Sequence, residues 1–412
     1  MSAEGQVFKV LRLCVGTHGR LVTPYFAIGY QLENTGVSMG DESSTLFATE
    51  RLGTVMAPEA GNPFEVEGVL NPAAARGPDG RLYLFPRLVA KGNYSRIGIA
   101  RVRFDGKGNN MGVERLGIAL EPKEPYEHHG QGGGCEDPRI TFVKPLKRYV
   151  MTYTAFSPRG PRIALATSED LFHWTRLGLA AFEPRNGVSF EGIDNKDALL
   201  FPDLLPDANG EPAIAMLHRP LFPGTQAHET VHEPEPRSVD IERESIWISY
   251  CSLPNLEHQD SPRFCRFHAH HLLASPVADW ERLKIGGGTP PVLTRHGWLF
   301  LYHGVSETAN SAPGARRLRY AAGVMVLDRK HPREIRYRSV EPVLAPETEQ
   351  ERVGIIDNVV FPTACDQRLD LGEANRLDIY YDMADTRIGV AQLLVPEELP
   401  LQAQAHQEKG EV

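Results

Sequence analysis

A chain of 412 residues, 24% of them charged and with a net charge of −9, is long enough for a large apolar core and too acidic overall to suit a nucleic-acid or anionic membrane partner. No apolar run reaches the roughly 18 residues of a membrane span, and residues 1–9 are polar and mixed rather than the apolar segment of a secretory signal, which predicts a cytoplasmic protein with no membrane partner. The five cysteines, Cys14, Cys135, Cys251, Cys265 and Cys365, are odd in number, scattered and free of any C-x-x-C pair, so they read as reduced thiols rather than disulfides or a zinc site.

Residues 1–45 stand ahead of any regular pattern and are expected to form an N-terminal extension packed on a rim or on a second subunit, which leaves room for a homo-oligomer without fixing the oligomeric state. From there the chain alternates short apolar stretches with turns, and the stretches recur as a repeat. The first unit opens at Asn71-Pro72 and continues with strands at 82–85 and 97–102, then Arg115-Leu-Gly117 running to Pro122. The second opens at Glu136-Asp-Pro-Arg139, with strands at 149–153 and 163–167, then Arg176-Leu-Gly178 running to Pro184. The third opens at Asn195-Lys-Asp197 and has strands at 214–218 and 246–250, with an acidic insertion at 228–244 between them. The fourth opens at Lys284-Ile-Gly-Gly-Gly288, with strands at 298–303 and 318–325, and the fifth at Asp357-Asn358, with strands at 377–382 and 386–393. Arg282-Leu283 and Tyr337-Arg-Ser-Val340 are expected to hold the place of a fourth strand in units three and four.

The fifth unit lacks a fourth strand at its end, whereas Arg51-Leu-Gly53, running to Pro58, supplies one at the front. A displaced strand of this kind joins the last sheet of a ring to the first. The expected fold is therefore all-β: a five-bladed β-propeller over residues 46–398 closed by an N-terminal strand, with a tail at 399–412.

In such a ring the first strands and their entry turns line the axis. Here they carry Asn71, Glu136, Asp137, Lys196, Asp197 and Lys284, and the second strands add Arg87, Arg219, Tyr302, His303 and Asp382, with Asp385 beyond. Polar groups gathered in a confined place are costly unless paired or used. Carboxylates and amides suit sugar hydroxyls, and cations suit an oxyanion such as phosphate.

The strings Gly134-Cys-Glu-Asp-Pro-Arg-Ile140, Asn195-Lys-Asp-Ala198, Leu217-His-Arg-Pro220, Lys284-Ile-Gly-Gly-Gly-Thr-Pro-Pro291, Trp298-x-x-x-Tyr-His-Gly304, Asn358-Val-Val-Phe-Pro362 and Tyr380-Tyr-Asp-Met-Ala-Asp-Thr386 resemble glycoside hydrolase family 130 in order along the chain. That family contains β-mannoside phosphorylases and a smaller set of β-1,2-mannosidases on a five-bladed propeller. The resemblance implies Asp137 as the catalytic proton donor, acting through the mannose 3-hydroxyl, and inversion that gives α-mannose 1-phosphate. It implies Lys196, Arg219, Lys284 and His303 as the phosphate clamp. Asn71, Arg87, Asp197 and Asp385 would hold the mannosyl group, with Glu136, Tyr302, Ser95 and Asp382 in support. No cofactor beyond inorganic phosphate as co-substrate is implied, and no metal; His268, His270 and His271 fall in what reads as a variable loop.

Two other readings stand beside this one. An inverting β-mannosidase on the same scaffold would need a second carboxylate to activate water, recruited from Glu191 or a glutamate of the insertion. A catalytically silent propeller would bind a carbohydrate or a protein, but would have no use for an acid among cations.

Overall fold

Period-two alternation broken by Gly, Pro, Asn and Asp favours strands joined by tight turns, and a computed structural model of the chain is all-β. It describes residues 46–128, 132–184, 189–222, 243–252, 265–308 and 317–400. The whole of the expected extension, most of the insertion and almost all of the tail lie outside these residues. No helix among the described residues is long and apolar enough to cross a membrane.

Strand β1 (Thr49–Met56) comes first. Then follow five groups, antiparallel throughout except that the short edge strand of the third pairs in parallel with its neighbour. The first is β2 (Gly68–Arg76), β3 (Leu82–Ala90), β4 (Tyr94–Phe104) and β5 (Asn110–Leu120). The second is β6 (Gly133–Val143), β7 (Arg148–Ser157), β8 (Gly160–Ser168) and β9 (Thr175–Leu179). A short parallel pairing of Tyr94 and Ser95 with Gly133 and Gly134 fuses these two groups into one eight-stranded sheet. The third comprises β10 (Ala181–Phe182), β11 (Asp194–Pro206), β12 (Pro212–Leu221), β13 (Ile246–Ser252) and β14 (Arg266–Ala274). In the fourth, β15 (Lys284–Gly287) and β16 (Val292–Thr294) both pair with β17 (Gly297–Glu307), followed by β18 (Leu318–Leu327) and β19 (Ile335–Arg338). The fifth is β20 (Val360–Gln367), β21 (Arg376–Met383) and β22 (Arg387–Leu394). Its open edge is taken by β1, antiparallel from Thr49 opposite Leu393 to Met56 opposite Ile388.

Each group buries one face against the next. Ile97 and Phe85 pack with Met151 and Tyr153, Val150 and Leu165 with Leu200 and Met216, and Phe201 and Ile248 with Phe300 and Met325. Leu301 and Val324 pack with Ile379 and Leu393, and Tyr380 and Val390 return to Leu84 and Ala100 of the first group. The packing order is thus cyclic. The first strands also touch one another directly: Thr141 donates to the Leu200 carbonyl at 3.1 Å, and Thr363 to the Pro72 carbonyl at 2.6 Å.

One ion pair recurs in four of the groups. A fully buried glutamate in the turn entering the group accepts backbone N–H groups of its own turn and the guanidinium of the fourth strand. Glu65 pairs with Arg115, Glu127 with Arg176, Glu281 with Arg338, and Glu351 with Arg51, at 2.6–2.8 Å. Arg51, on β1, fills this place for the fifth group, so the N-terminal strand substitutes for the missing one in chemistry as well as in pairing. For the third group the expectation fails. Its fourth strand is β14, and Arg282 lies in the turn leading into β15, reaching toward Glu307 at 3.4 Å. The residues His268, His270 and His271, expected in a loop, lie in β14.

Candidate functional site

The first strands of the first three groups share a local break. Register slips between Leu70 and Ala73, between Glu136 and Arg139, and between Lys196 and Leu199. At each slip one non-glycine residue adopts left-handed backbone geometry: Asn71 (φ 43°), Asp137 (φ 47°) and Asp197 (φ 55°). Such conformations cost energy and persist where the surroundings fix them. Asp385 (φ 52°) sits in the same region of backbone space in the turn between β21 and β22. Four strained polar residues are thus presented where the groups converge.

Around Asp137 the contacts are close. Asn71 donates to Asp137 Oδ1 at 2.8 Å, and Arg87 Nη1 to the same oxygen at 3.2 Å. Arg87 also donates to Glu136 Oε1 at 2.8 Å and to Ser95 Oγ at 2.9 Å. Burial alone would raise the Asp137 carboxyl, but the charges of Arg87 and Lys196 and the hydrogen bond from Asn71 outweigh it and hold the group below the usual carboxylate range. For Glu136 burial prevails over Arg87, reinforced by the neighbouring Asp137 charge, and the carboxyl is pushed up. Asp385 is also pushed up, by burial first and then by Asp137, against Arg87 and Lys196. Asp382 is fully buried, pushed well up by burial and by Asp385, and accepts the Asp385 backbone N–H at 2.9 Å. Four buried acids beside two cations therefore share their charge unequally.

A second cluster centres on Asp197. Arg219 Nε donates to Asp197 Oδ2 at 2.6 Å, and His303 Nε2 lies 3.7 Å from the same oxygen. Burial would raise Asp197, but Arg219 above all, with Lys196, holds it far down. Gly286 makes this closeness possible, since a Cβ there would lie 2.3 Å from Asp197 Oδ2 and 2.4 Å from His303 Cε1. Lys284, next to Gly286 on β15, is pushed down to about 7 by burial and by the charges of Arg219 and Lys196. His303 is pushed well below its ordinary value by burial and the surrounding cations, and its ring packs 4.3 Å from that of Phe361. Asp197 pulls the other way, but burial beside Arg219, Lys284 and Arg139 outweighs it and favours the neutral imidazole.

Lys196 links the clusters: its ammonium acts on Asp137, Glu136 and Asp385 in one and on Asp197 and Lys284 in the other. Tyr302 is not brought to either. Side chains alternate along β17, so where His303 faces the clusters Tyr302 faces away; it is fully buried against Trp280, with Arg338 Nε 3.4 Å from its hydroxyl.

The sequence does not single out two residues at the site, one of which it offers only collectively among the insertion's glutamates. Arg139 is buried beneath the site, donating to the Gly288 carbonyl at 2.6 Å and the Asp137 carbonyl at 3.0 Å. Its place in the Glu136-Asp-Pro-Arg139 string was the only signal. Glu244, at the end of the acidic insertion, places one carboxylate oxygen on Arg219 Nη1 and the other 3.9 Å from Lys284 Nζ. Nothing local in the sequence marks it out from its neighbours.

The sequence model of glycoside hydrolase family 130, described as beta-1,4-mannooligosaccharide phosphorylase, matches residues 48–401. The chain is 30% identical to a 1,2-beta-oligomannan phosphorylase of Thermoanaerobacter sp. (strain X514), over 82% of this chain and 94% of that one. It is 37% identical to a beta-1,4-mannooligosaccharide phosphorylase of Ruminococcus albus, over 70% of each. The solved structure of beta-1,2-mannobiose phosphorylase from Listeria innocua, in complex with beta-1,2-mannobiose, superposes with a TM-score of 0.60 at 22% identity, covering 85% of this chain and 97% of that one. With the matched segment spanning nearly all of the described strands, the chain belongs to glycoside hydrolase family 130.

Proposed function

We propose that the chain is an inverting β-mannoside phosphorylase, which moves the mannosyl group of a β-mannoside onto inorganic phosphate and releases α-mannose 1-phosphate and an acceptor sugar. The observation that carries this reading is the pairing of one buried acid, Asp137, held by Asn71 and Arg87, with a separate group of nitrogen donors, Arg219, Lys284 and His303, gathered around Asp197. The curated relatives named as mannan and mannooligosaccharide phosphorylases support it.

In the proposed reaction a phosphate oxygen forms a bond to the anomeric carbon from the α face while the β-glycosidic C–O bond breaks, and Asp137 supplies the proton that the leaving oxygen takes. Asp137 is held low by Arg87 and Lys196, with burial opposing them. Phosphate brings negative charge toward those cations, weakens their hold and favours the protonated acid. The clamp orients phosphate for in-line attack: Arg219 and Lys284 supply charge and neutral His303 an N–H. Asn71, Arg87, Asp197 and Asp385 contact the mannosyl group, and Glu136 keeps Arg87 aligned.

We also propose that the five groups are the blades of a β-propeller, with this site at the axis; the cyclic order of core packing and the β1–β22 pairing support that arrangement.

The test is phosphate dependence. β-Mannobiose of each linkage is incubated with and without inorganic phosphate and the products are followed by NMR. Appearance of α-mannose 1-phosphate only with phosphate supports the reading; release of free mannose at the same rate without phosphate refutes it in favour of hydrolysis.

A further inference from the structure

We infer that Glu244 is a resident carboxylate seated on the anion-binding edge of Arg219 and Lys284, which phosphate must displace, so that Glu244 sets the affinity for phosphate. The inference rests on the phosphorylase reading of the same site. Arg219 is almost wholly buried and uses Nε for Asp197, while its Nη1 meets Glu244 Oε2. Phosphate recognises a guanidinium through the same N–H groups as a carboxylate does, so the two anions compete for one edge. The backbone at Glu244 is tied down: it bridges in parallel to Lys284, and Ile285 N donates to the Glu244 carbonyl at 3.0 Å. Beyond that anchor the side chain is held, among the described residues, by its ion pairs with Arg219 and Lys284, and it has rotatable bonds with which to swing clear of them.

The charges explain why a carboxylate is kept there. Without it, Arg219, Lys196 and Lys284 would stand together with Asp197 beside them, and burial, with the nearby charges of Arg219 and Lys196, already depresses Lys284. Glu244 neutralises the empty clamp, and phosphate takes over that role when it binds. Glu244 is then a specificity residue: an anion too weakly charged to outcompete a tethered carboxylate is turned away.

The experiment is calorimetric titration of inorganic phosphate into the wild-type protein, Glu244→Gln and Glu244→Ala, with melting curves for each and steady-state KM values for phosphate and for the β-mannoside. If the seat is occupied most of the time, the apparent phosphate affinity of the wild type is reduced by the open fraction, and Glu244→Gln tightens phosphate binding by about tenfold or more. The KM for phosphate falls accordingly, while that for the mannoside moves by less than about twofold. Equal or weaker phosphate binding by both folded variants overturns the inference and makes Glu244 a brace for the cations. Loss, in Glu244→Gln, of mannose release that needs no phosphate also overturns it, by making Glu244 the group that activates water. Because binding is read directly, a wild type that binds phosphate in competition with Glu244 but does not transfer mannose to it would refute the phosphorylase reading and leave the displacement standing.

Discussion

Gly286→Ala tests the second cluster with a single methyl group. The added Cβ would lie 2.3 Å from Asp197 Oδ2, 2.4 Å from His303 Cε1 and 2.8 Å from Arg219 Nε, where ordinary contact begins at 3.4 Å. None of the three neighbours is a flexible tip. Asp197 is fixed by its left-handed backbone and by Arg219, and His303 is fully buried on β17. Relief therefore requires Asp197 and His303 to retreat by about 1 Å each. Overpacking of this kind costs about 1–3 kcal/mol of stability, and a 1 Å misplacement of positioning groups costs on the order of 10²-fold in rate. The assay is the initial rate of mannosyl transfer to phosphate against phosphate concentration, with a melting curve to show that the variant folds. The expected result is a folded protein with kcat/KM for phosphate down about a hundredfold. A folded variant within about threefold of wild type would refute the placement of the anion site at Asp197, Arg219 and His303.

Lys284 is pushed down to about 7 in the empty site, so it loses its proton as pH rises through that value and the KM for phosphate rises with it; Lys284→Arg, which stays charged, flattens that rise, and an unchanged profile in the variant would count against the assignment. Arg176→Ala leaves the fully buried Glu127 without its guanidinium and costs about 3–5 kcal/mol in denaturant unfolding, whereas Arg282→Ala, at an exposed pair, costs about 0–1 kcal/mol; equal losses would sink the distinction. Glu127 is held low by Arg176 and its backbone donors against burial, so its contribution is present above the unfolded carboxyl value near ~4.3 and is lost as pH falls through the lower folded value. Asp382 is pushed well up and sits beneath Asp385. Asp382→Asn, which keeps an acceptor for the Asp385 N–H, stays within about threefold of wild-type activity, while Asp382→Ala loses tenfold or more; the same large loss in both variants would mean that the charge of Asp382 matters.

The strand repeat was legible because alternation and turn residues are local signals, and all five second and third strands lie where the pattern placed them. The closing role of β1 was legible because Arg51 repeats the motif of Arg115 and Arg176. The partners of those arginines were not: Glu65, Glu127, Glu281 and Glu351 look in sequence like ordinary surface glutamates, and only folding buries them. Arg282 misled because it copies the Arg-Leu pair while β14, the true fourth strand of its group, carries histidines instead. Asn71, Arg87 and Asp137 meet in one cluster and Asp197, Arg219 and His303 in the other; the first strands supply Asn71, Asp137 and Asp197, and the second strands Arg87, Arg219 and His303. Tyr302 failed on the alternation of its own strand. The charge of His303 and the place of Glu244 depend on Arg219 and Lys284, which lie on other strands and meet them only in the fold, so no local pattern encodes either.

The central claim is that a buried acid and an anion clamp act together on a β-mannosyl group. Its most direct test is the reverse reaction: α-mannose 1-phosphate with a panel of acceptor sugars, assayed for released phosphate, with wild type and Asp137→Asn side by side. The account predicts phosphate release that depends on a particular acceptor, forms a β-mannoside, and vanishes in Asp137→Asn. No release with any acceptor from a wild-type protein that frees mannose from β-mannosides without phosphate would contradict it.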